Sequence, residues 1–392
     1  MRVKLKDVCT FYTGTGFPKK YQGQLSGTYP FYKVGDIANN VVSGKVYLEQ
    51  CNNYISEETL ELIKGSIIPK NTIVFAKIGE ALKLNRRAIT STDCLIDNNA
   101  MGIAAKSDKL RTLFFYYFMR NIKMELLAES TTVPSVRKSR LEAYEIDIPS
   151  LDDQKIIEGK LTILSKVINL KEKQLLKLDE LVKARFVEMF GDENNSKGWE
   201  IVNIEDVVNV QVGVVIKPSQ YYTNRYNGIK AFRSLNIGNG YIKDDDWVYF
   251  SKEGNKKNKK SILSTNDVLV VRSGAPGTAC VVTSEYAGSN AIDVIIAHPD
   301  FQKVDSHYLC TYTNMPHGKS QIIEGTGGAA QQHFNVGKYN KLKLMLPPLE
   351  YQKQYVKFLE EIDKSRLLNI CLKSLVESVL KIRIFSEYKK SS

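Results

Sequence analysis

Basic side chains stand close together at three places in this chain of 392 residues. Each cluster lies beside turn residues, in a segment of mixed polar and apolar character. Lys and Arg groups in such loops are typical contacts for phosphate oxygens. The alternative is that each cluster belongs only to a solvated loop. The members are Arg86 and Arg87; Arg137, Lys138 and Arg140; and Lys256, Lys257, Lys259 and Lys260.

Two loops rich in hydrogen-bonding groups occupy matching places, shortly before two predicted helices. The first covers residues 131–137, and the second contains Gln331, Gln332 and His333. Gln, Asn, Arg and Lys side chains can read purine edges in the major groove of a duplex. Both loops are therefore candidate base readers, although polar loops of this kind are also common without such a role.

Motifs for catalysis are missing from the sequence. Pro347-Pro348 lies between Leu346 and Leu349, so it does not form the Asn/Asp-Pro-Pro-aromatic motif of a base methyltransferase. The glycine-rich segment 325–328 lacks the Lys-Ser/Thr of a phosphate-binding loop. The four histidines form neither a metalloprotease motif nor the signature of a nucleophile triad. We therefore expect a binding protein with no catalytic residue, metal or cofactor of its own.

Composition and charge favour a globular protein with a polyanionic partner. The chain is 43% hydrophobic and 25% charged, and its length suits two domains. Its net charge is +12, and residues 1–150 carry 21 Lys and Arg against 15 Asp and Glu, whereas residues 151–192 carry eight of each. A basic excess favours association with polyanions through counterion release. A basic surface without such a partner is the alternative.

The compartment can also be predicted. The N-terminus lacks the apolar segment of a signal peptide, and no apolar run reaches the roughly 18 residues of a membrane span. The six scattered cysteines form no zinc-binding pattern and are expected to be reduced and mostly buried. We expect a cytoplasmic protein with no membrane contact.

The sequence repeats itself at about half its length, and the repeat adds three candidate basic residues. Val3–Val8 recurs as Val202–Val207, and the segment 31–37 recurs as 231–237, which places Arg233 in the position of Lys33. Residues 72–79 match 267–274, where Lys77 and Arg272 correspond. The sharpest match joins Ile148–Lys155 to Leu346–Lys353. A repeat of this length predicts two similar domains.

Elements that position these residues follow from the same repeat. Short β-branched and aromatic runs over 72–76, 268–271 and 291–296 predict strands, so the mixed segments should be α+β domains. A helix is predicted from Asp152 to Phe190, about 58 Å long at 1.5 Å per residue. Apolar residues spaced by four and three indicate a coiled-coil seam on this helix: Ile157, Leu161, Leu164, Ile168, Leu175, Leu178, Val182 and Met189, with Lys171 and Arg185 as polar interruptions.

The C-terminal segment is expected to supply the partner helix in an antiparallel pair. Leu368, Leu372, Leu375, Val379 and Ile382 keep the same seam spacing, and a shorter stripe in another register joins Tyr355, Leu359 and Ile362. The alternative is that the two stripes belong to separate helical bundles.

Together these features resemble the specificity subunit of type I restriction-modification systems. The most specific elements are the two helix-start motifs, 148–155 and 346–353, and the stretch from Leu175 to Asp192. Ser150 departs from the pattern, because a second proline is common there, and the second helix is less regular.

The resemblance implies an architecture and partners. It predicts a first target-recognition domain at 1–148, a central spacer helix at 149–192, a second such domain at 193–345 and a pairing C-terminal helix at 346–392. These parts would be related by a pseudo-two-fold repeat, with the domains held apart by the helix pair. Each domain would read half of a bipartite site in double-stranded DNA. The helices would dock two methyltransferase subunits that bind S-adenosylmethionine and methylate adenine, and restriction and motor subunits would join for cleavage. Predicted docking residues are Gln154, Lys155, Gln352 and Lys353.

Two alternatives remain at this stage. One is the specificity chain of a bifunctional type II restriction-methylation system. The other is a coiled-coil adaptor that binds no DNA, which would leave the basic excess without an explanation.

Overall fold

The computed structural model describes residues 1–49, 51–129, 133–326 and 334–386. Within these residues the chain divides into two compact units. Unit 1 holds Met1–Lys173 and the chain from Ile370 onward, and unit 2 holds Gln174–Asn369. Both units combine sheets with helices, so the α+β prediction is confirmed.

The described part of unit 1 begins with ten strands and six short helices. Its strands are β1 Arg2–Lys4, β2 Cys9–Thr13, β3 Tyr29–Tyr32, β4 Tyr47–Leu48, β5 Tyr54–Ile55, β6 Thr72–Ala76, β7 Arg87–Thr90, β8 Leu95–Ile96, β9 Ala100–Ala105 and β10 Glu145–Asp147. Its short helices are α1 Leu5–Val8, α2 Val34–Val42, α3 Glu57–Leu62, α4 Glu80–Lys83, α5 Thr112–Asn121 and α6 Lys138–Glu142. A long helix, α7 Leu151–Phe190, follows and continues into unit 2.

Unit 2 repeats the plan. Its strands are β11 Glu200–Asn203, β12 Val208–Val212, β13 Tyr222–Thr223, β14 Ile229–Phe232, β15 Val248–Phe250, β16 Val268–Val271, β17 Ala279–Val281, β18 Asn290–Ala291, β19 Val294–Pro299 and β20 Lys343–Leu346. Its helices are α8 Lys252–Lys257, α9 Ser306–Asn314, α10 Pro316–Thr326, α11 Val336–Asn340 and the start of α12 Leu349–Ser386. Short 3₁₀ turns occur in both units at Lys19–Tyr21, Met124–Leu127, Ile204–Asp206, Pro218–Tyr221, Ser234–Asn236, Lys259–Ser261 and Ser284–Tyr286.

The two units share most of their sheet topology, which confirms the internal repeat, while β4 in unit 1 and β13 in unit 2 have no counterpart strand among the described residues. The main sheet has the order β2-β9-β6-β7-β4 in unit 1 and β12-β19-β16-β17 in unit 2. A smaller sheet has the order β5-β3-β8 or β13-β15-β14-β18, and its β3-β8 and β14-β18 pairs are both parallel. The first and last strands of each globular part, β1 with β10 and β11 with β20, pair antiparallel.

Each main sheet is buried on both faces, because its central strands are almost wholly apolar. All residues of β6 and β16 are buried, as expected for continuous β-branched and aromatic runs. One face packs against α5 in unit 1 and α9 in unit 2, and the other face packs against the smaller-sheet side. The predicted strands at 72–76 and 268–271 are confirmed. The predicted strand at 291–296 is confirmed at 291 and 294–296 but is interrupted, because Asp293 adopts a positive φ of 49° and separates β18 from β19.

One close approach recurs in both units and requires glycine. A Cβ on Gly14 would lie 1.7 Å from the carbonyl oxygen of Asp97, and a Cβ on Gly213 would lie 2.4 Å from that of Ala291. Both glycines directly follow the edge strand β2 or β12 and lie against the backbone just before β9 or β19, the next strand of the sheet. Only a residue without a side chain fits there.

Helix α7 begins and packs as the sequence predicts. Ser150 caps it, since its hydroxyl oxygen accepts the Asp153 N–H at 3.2 Å, which explains a serine in place of a second proline. Every predicted seam residue is buried or half-buried, and so are the interruptions Lys171 and Arg185.

The partner helix α12 uses a different face from the one predicted. Its covered positions continue the register of Tyr355, namely Tyr355, Leu359, Ile362, Arg366, Asn369, Lys373 and Val376. Leu368, Leu372 and Leu375 are exposed, so the predicted Leu368 register is wrong, and the side chains of Val379 and Ile382 lie outside the described residues.

Ion pairs follow the observed register of α12. In unit 2, Arg366 binds Asp179 at 2.6 Å, and the Tyr355 hydroxyl donates to the carbonyl oxygen of Val182 at 3.3 Å. In unit 1, Lys373 binds Glu172 at 2.8 Å. Residue numbers rise on one helix as they fall on the other, so the antiparallel direction is confirmed.

The cysteines behave as expected. All six are free, and four are buried. Burial raises the pKa of the Cys9 and Cys310 thiols to about 12, which leaves them protonated at neutral pH. In the described chain, no helix combines the length and the apolar character needed to cross a bilayer.

Candidate nucleic-acid interface

In unit 1, the end of strand β6 meets the loop that precedes α6. The Val136 N–H donates to the carbonyl oxygen of Lys77 at 2.9 Å, and the Gly79 N–H donates to that of Pro134 at 2.8 Å. Lys77 is half-buried, and no carboxylate of the described residues pairs with its ammonium group. The structure thus brings together the predicted basic residue and the described part of the predicted base-reading loop, residues 133–137.

A third segment joins this place and was missed by sequence reasoning. The Lys77 N–H donates to the carbonyl oxygen of Asn99 at 2.8 Å, which puts the turn 97–99 beside Lys77. Asn98 and Asn99 are both exposed there, and asparagine amides can pair with adenine edges. The Asn-Asn pair after a strand was the available signal, but such pairs are more typical of ordinary turns.

In unit 2, the equivalent place is built around Arg272. The Phe334 N–H donates to the carbonyl oxygen of Arg272 at 3.1 Å, and the Arg272 Nε donates to that of Phe334 at 3.0 Å. The guanidinium also binds Asp293 at 2.7 Å. Arg272 therefore fixes the chain before α11 and is paired with a carboxylate, and its contact with DNA stays a prediction. Gln331 and Gln332, predicted to read bases here, lie outside the described residues.

Other predicted basic residues are already neutralised by carboxylates. Arg137 binds Glu129 at 2.8 Å, Lys138 lies 3.6 Å from Glu142, and Arg233 binds Asp246 at 3.1 Å. Arg137, Lys138 and Arg140 remain exposed, whereas Arg233 is half-buried and its backbone starts a turn. Pairing lowers the charge that each offers to a phosphate, and exposed pairs of this kind exchange partners at little cost.

The Arg86-Arg87 cluster splits. Arg86 is half-buried at the surface, but Arg87 is only 1% exposed and its guanidinium donates to Asn85 and to the carbonyl oxygen of Ile122 at 2.7 Å. Burial lowers the pKa of Arg87 to about 9. The prediction that Arg87 contacts DNA is therefore wrong, because its side chain points into the core beside Phe75.

The predicted docking glutamines are also buried. The Gln154 amide donates to the carbonyl oxygens of Lys109 and Pro149, both at 3.0 Å, and its oxygen accepts the Arg111 N–H at 2.8 Å. Gln154 and Gln352 are 0% exposed, so neither can contact a docked subunit from this position. The neighbouring Lys155 and Lys353 are exposed.

The lysines of segment 256–260 form the largest predicted basic cluster that is exposed and unpaired among the described residues. Lys256, Lys257, Lys259 and Lys260 are all exposed, and none pairs with a carboxylate of the described residues. They sit on α8 and the turn after it.

Comparison with known proteins agrees with the repeat. The chain matches the family described as Type I restriction modification DNA specificity domain over residues 1–180 and again over residues 196–377. The EcoBI specificity subunit of Escherichia coli, a type I restriction enzyme subunit, is 23% identical to this chain. The match covers 69% of this chain and 63% of the length of that relative. The MjaVIII specificity subunit of Methanocaldococcus jannaschii is 20% identical and covers 92% of this chain and 85% of its own length.

A solved structure shares the fold. The S subunit of the type I restriction-modification system of M. genitalium superposes with a TM-score of 0.52 at 13% identity, covering 97% of this chain and 95% of that one. At this identity the likeness concerns the fold alone. The family match, in contrast, spans most of the chain and occurs once for each half of its repeat. The chain therefore belongs to the Type I restriction modification DNA specificity domain family and carries that domain twice.

Proposed function

We propose that this chain is the non-catalytic DNA-recognition subunit of a type I restriction-modification complex. Residues 1–148 and 193–345 would be the two target-recognition domains, each reading half of a bipartite site in double-stranded DNA. The observation that carries the proposal is the recurrence of one arrangement, in which a basic residue at the end of the central strand meets the loop before a short helix. Lys77 occupies this place in unit 1 and Arg272 in unit 2.

The proposal includes partners that supply the chemistry. Two methyltransferase subunits would bind S-adenosylmethionine and methylate adenine, and restriction and motor subunits would join for cleavage, all in the cytoplasm. The relatives' names support a multi-subunit enzyme, because each is called a specificity subunit of a type I restriction enzyme. The type II and adaptor alternatives have no observation of their own in their favour.

Docking of the methyltransferases is proposed on the segments 149–192 and 346–392, whose described helices are α7 and α12 and would also act as spacer. Helix α7 exposes apolar side chains at exact heptad intervals, Ile156, Ile163 and Leu170, at 57–63% exposure. An exposed apolar stripe of this spacing suits a further helix packing in coiled-coil fashion. Lys155 and Lys353 border the starts of the two helices and remain in the proposed docking surface.

Substitution of Lys77 tests the proposed DNA surface. In the complete methyltransferase complex, K77Q should weaken binding to the methylated motif several-fold and lower the salt slope of log affinity by about 0.9 if one phosphate contact is lost. The matched control is K6Q, an exposed lysine of the same unit outside the site. Fluorescence anisotropy with labelled duplex measures both. Equal affinity and slope in K77Q and K6Q would exclude this place as the DNA surface.

A further inference from the structure

The segment that carries α8 and the following turn is the most strongly basic surface of unit 2. Residues 251–260 hold five lysines and one glutamate. Four of these lysines, Lys256, Lys257, Lys259 and Lys260, fall within five residues, and all are exposed without a carboxylate partner among the described residues. Lys257 also lies 5.9 Å from the ring of Tyr221, so an aromatic face borders the cluster.

The backbone under these lysines is fixed by buried polar groups. Ser251 caps α8, with its hydroxyl oxygen accepting the Gly254 N–H at 2.9 Å. On the inner side, the Asn255 amide donates to the Asn290 side-chain oxygen at 2.7 Å, and the Asn290 amide donates to the Ser261 hydroxyl at 2.9 Å. Asn290 is fully buried and Asn255 nearly so. A buried, paired amide network holds the segment rigidly, so the lysines project from a preformed surface.

The repeat supplies an internal comparison. Ser56 caps α3, and Ser251 caps α8 at the position 195 residues later. At the same offset, the Asn255-Asn290 amide pair of unit 2 is replaced in unit 1 by Leu60 and Leu95. The fold of the segment is thus kept while its charge is reversed. Residues 56–65 carry three exposed glutamates and one lysine, the glutamates being Glu57, Glu58 and Glu61.

We infer that Lys256, Lys257, Lys259 and Lys260 form a phosphate-contact surface at the second half-site, and that the equivalent acidic segment of unit 1 makes no such contact. This inference rests on the proposed function and adds that the two units differ in their charge toward DNA. Phosphate contacts would contribute more to the binding of the half-site read by unit 2 than to that of the other half-site, although the same fold reads both. A lysine ammonium group that contacts a phosphate acts as a point charge, and such a contact carries no base preference, so the surface adds affinity and not sequence choice.

The test uses the complete methyltransferase complex on a duplex with the methylated motif. The variant K256Q/K257Q/K259Q/K260Q should lower the salt slope of log affinity by about 2 or more, since each lost phosphate contact accounts for roughly 0.9. The matched variant E57Q/E58Q/E61Q in unit 1 should leave the slope unchanged. Both variants alter only exposed side chains, and an unchanged melting temperature and methylated motif show that each is folded.

Placement is tested with duplexes that carry neutral methylphosphonate linkages at one half-site at a time. Neutral linkages at the half-site read by unit 2 should lower the salt slope of log affinity for the unaltered chain. The same linkages should have little further effect on the slope of the lysine variant. An unchanged slope in the lysine variant would overturn the inference, as would an equal change in the glutamate variant or weaker methyltransferase assembly with unchanged DNA binding. If the unaltered complex failed to bind its motif specifically, the proposed function itself would fail, and the two failures are thereby distinguished.

Discussion

Gln154 and Gln352 show how single residues tie each long helix to its globular part. The Gln352 amide donates to the carbonyl oxygens of Lys303 and Pro347, at 3.1 and 2.8 Å, and its oxygen accepts the Asp305 N–H at 2.8 Å. Gln154 makes the same three bonds 198 positions earlier. Each glutamine therefore joins the first turn of a helix to the segment before α5 or α9, and fixes how the helix leaves the domain.

Removing one of these glutamines should destabilise its unit. Q154L keeps the volume but leaves the Arg111 N–H and the carbonyl oxygens of Lys109 and Pro149 without partners. We expect a loss of about 1–3 kcal/mol, the usual cost of a buried polar group left unpaired. The control K155Q changes the next, exposed residue and should stay within about 0.5 kcal/mol. Urea unfolding measures both, and equal midpoints for Q154L and K155Q would show that the bonds contribute little.

For single residues, the sequence indicates which positions are special but not whether the fold buries or exposes them. The helix-start repeat correctly marks both glutamines as special, but a docking role cannot be distinguished from a buried one without knowing which face meets the domain. Arg86 and Arg87 illustrate the same limit. Adjacent residues at a strand start point to opposite sides, so only one of two neighbouring arginines reaches the surface.

Among the elements, the C-terminal helix shows why apolar spacing alone does not fix a packing face. Two apolar registers compete on α12, and the leucine-rich one is the exposed one. The observed face begins at Tyr355, which is buried in the core of unit 2 with Phe186 and Phe190. This anchor sets the helix rotation, and a seam of Arg366, Asn369 and Lys373 follows although it is polar. The exposed leucines are consequently available to a partner.

Substitution of the exposed leucines should separate stability from assembly. L368Q/L372Q/L375Q changes side chains that are 61%, 36% and 61% exposed, so the thermal unfolding midpoint should stay within a few degrees. Association with the methyltransferase subunit from the same genome should weaken, as measured by co-elution in size-exclusion chromatography. I362A, at a position only 6% exposed, should instead lose about 2–4 kcal/mol. A large stability loss in the leucine variant with unchanged assembly would place these leucines in the intramolecular seam.

Strands were predicted where burial on both faces produced continuous apolar runs, as in β6 and β16. The single strand expected at 291–296 failed at Asp293, whose backbone conformation and ion pair with Arg272 break the run. A tertiary contact of this kind leaves no local pattern for sequence reasoning to use.

At the scale of the whole molecule, the repeat is the feature that the sequence reveals most clearly. Matching segments near an offset of 200 become sheets whose shared strands keep the same order. Surface charge follows the repeat less faithfully, as the acidic α3 and basic α8 show, because only the buried positions are constrained by the fold. Two units with one topology and different surfaces are suited to two different half-sites.

Exchange of one unit's recognition domain tests the central claim most directly. Residues 1–148 would be replaced with the matching domain of a relative whose methylated motif is known, and methylated adenines would then be mapped across the genome of cells carrying the chimaera and its methyltransferase. We predict a motif in which one half-site changes to that of the donor while the other half-site stays as it is with the parent chain. A motif that changes in both halves, or in neither, would contradict the account of two independent readers in one chain.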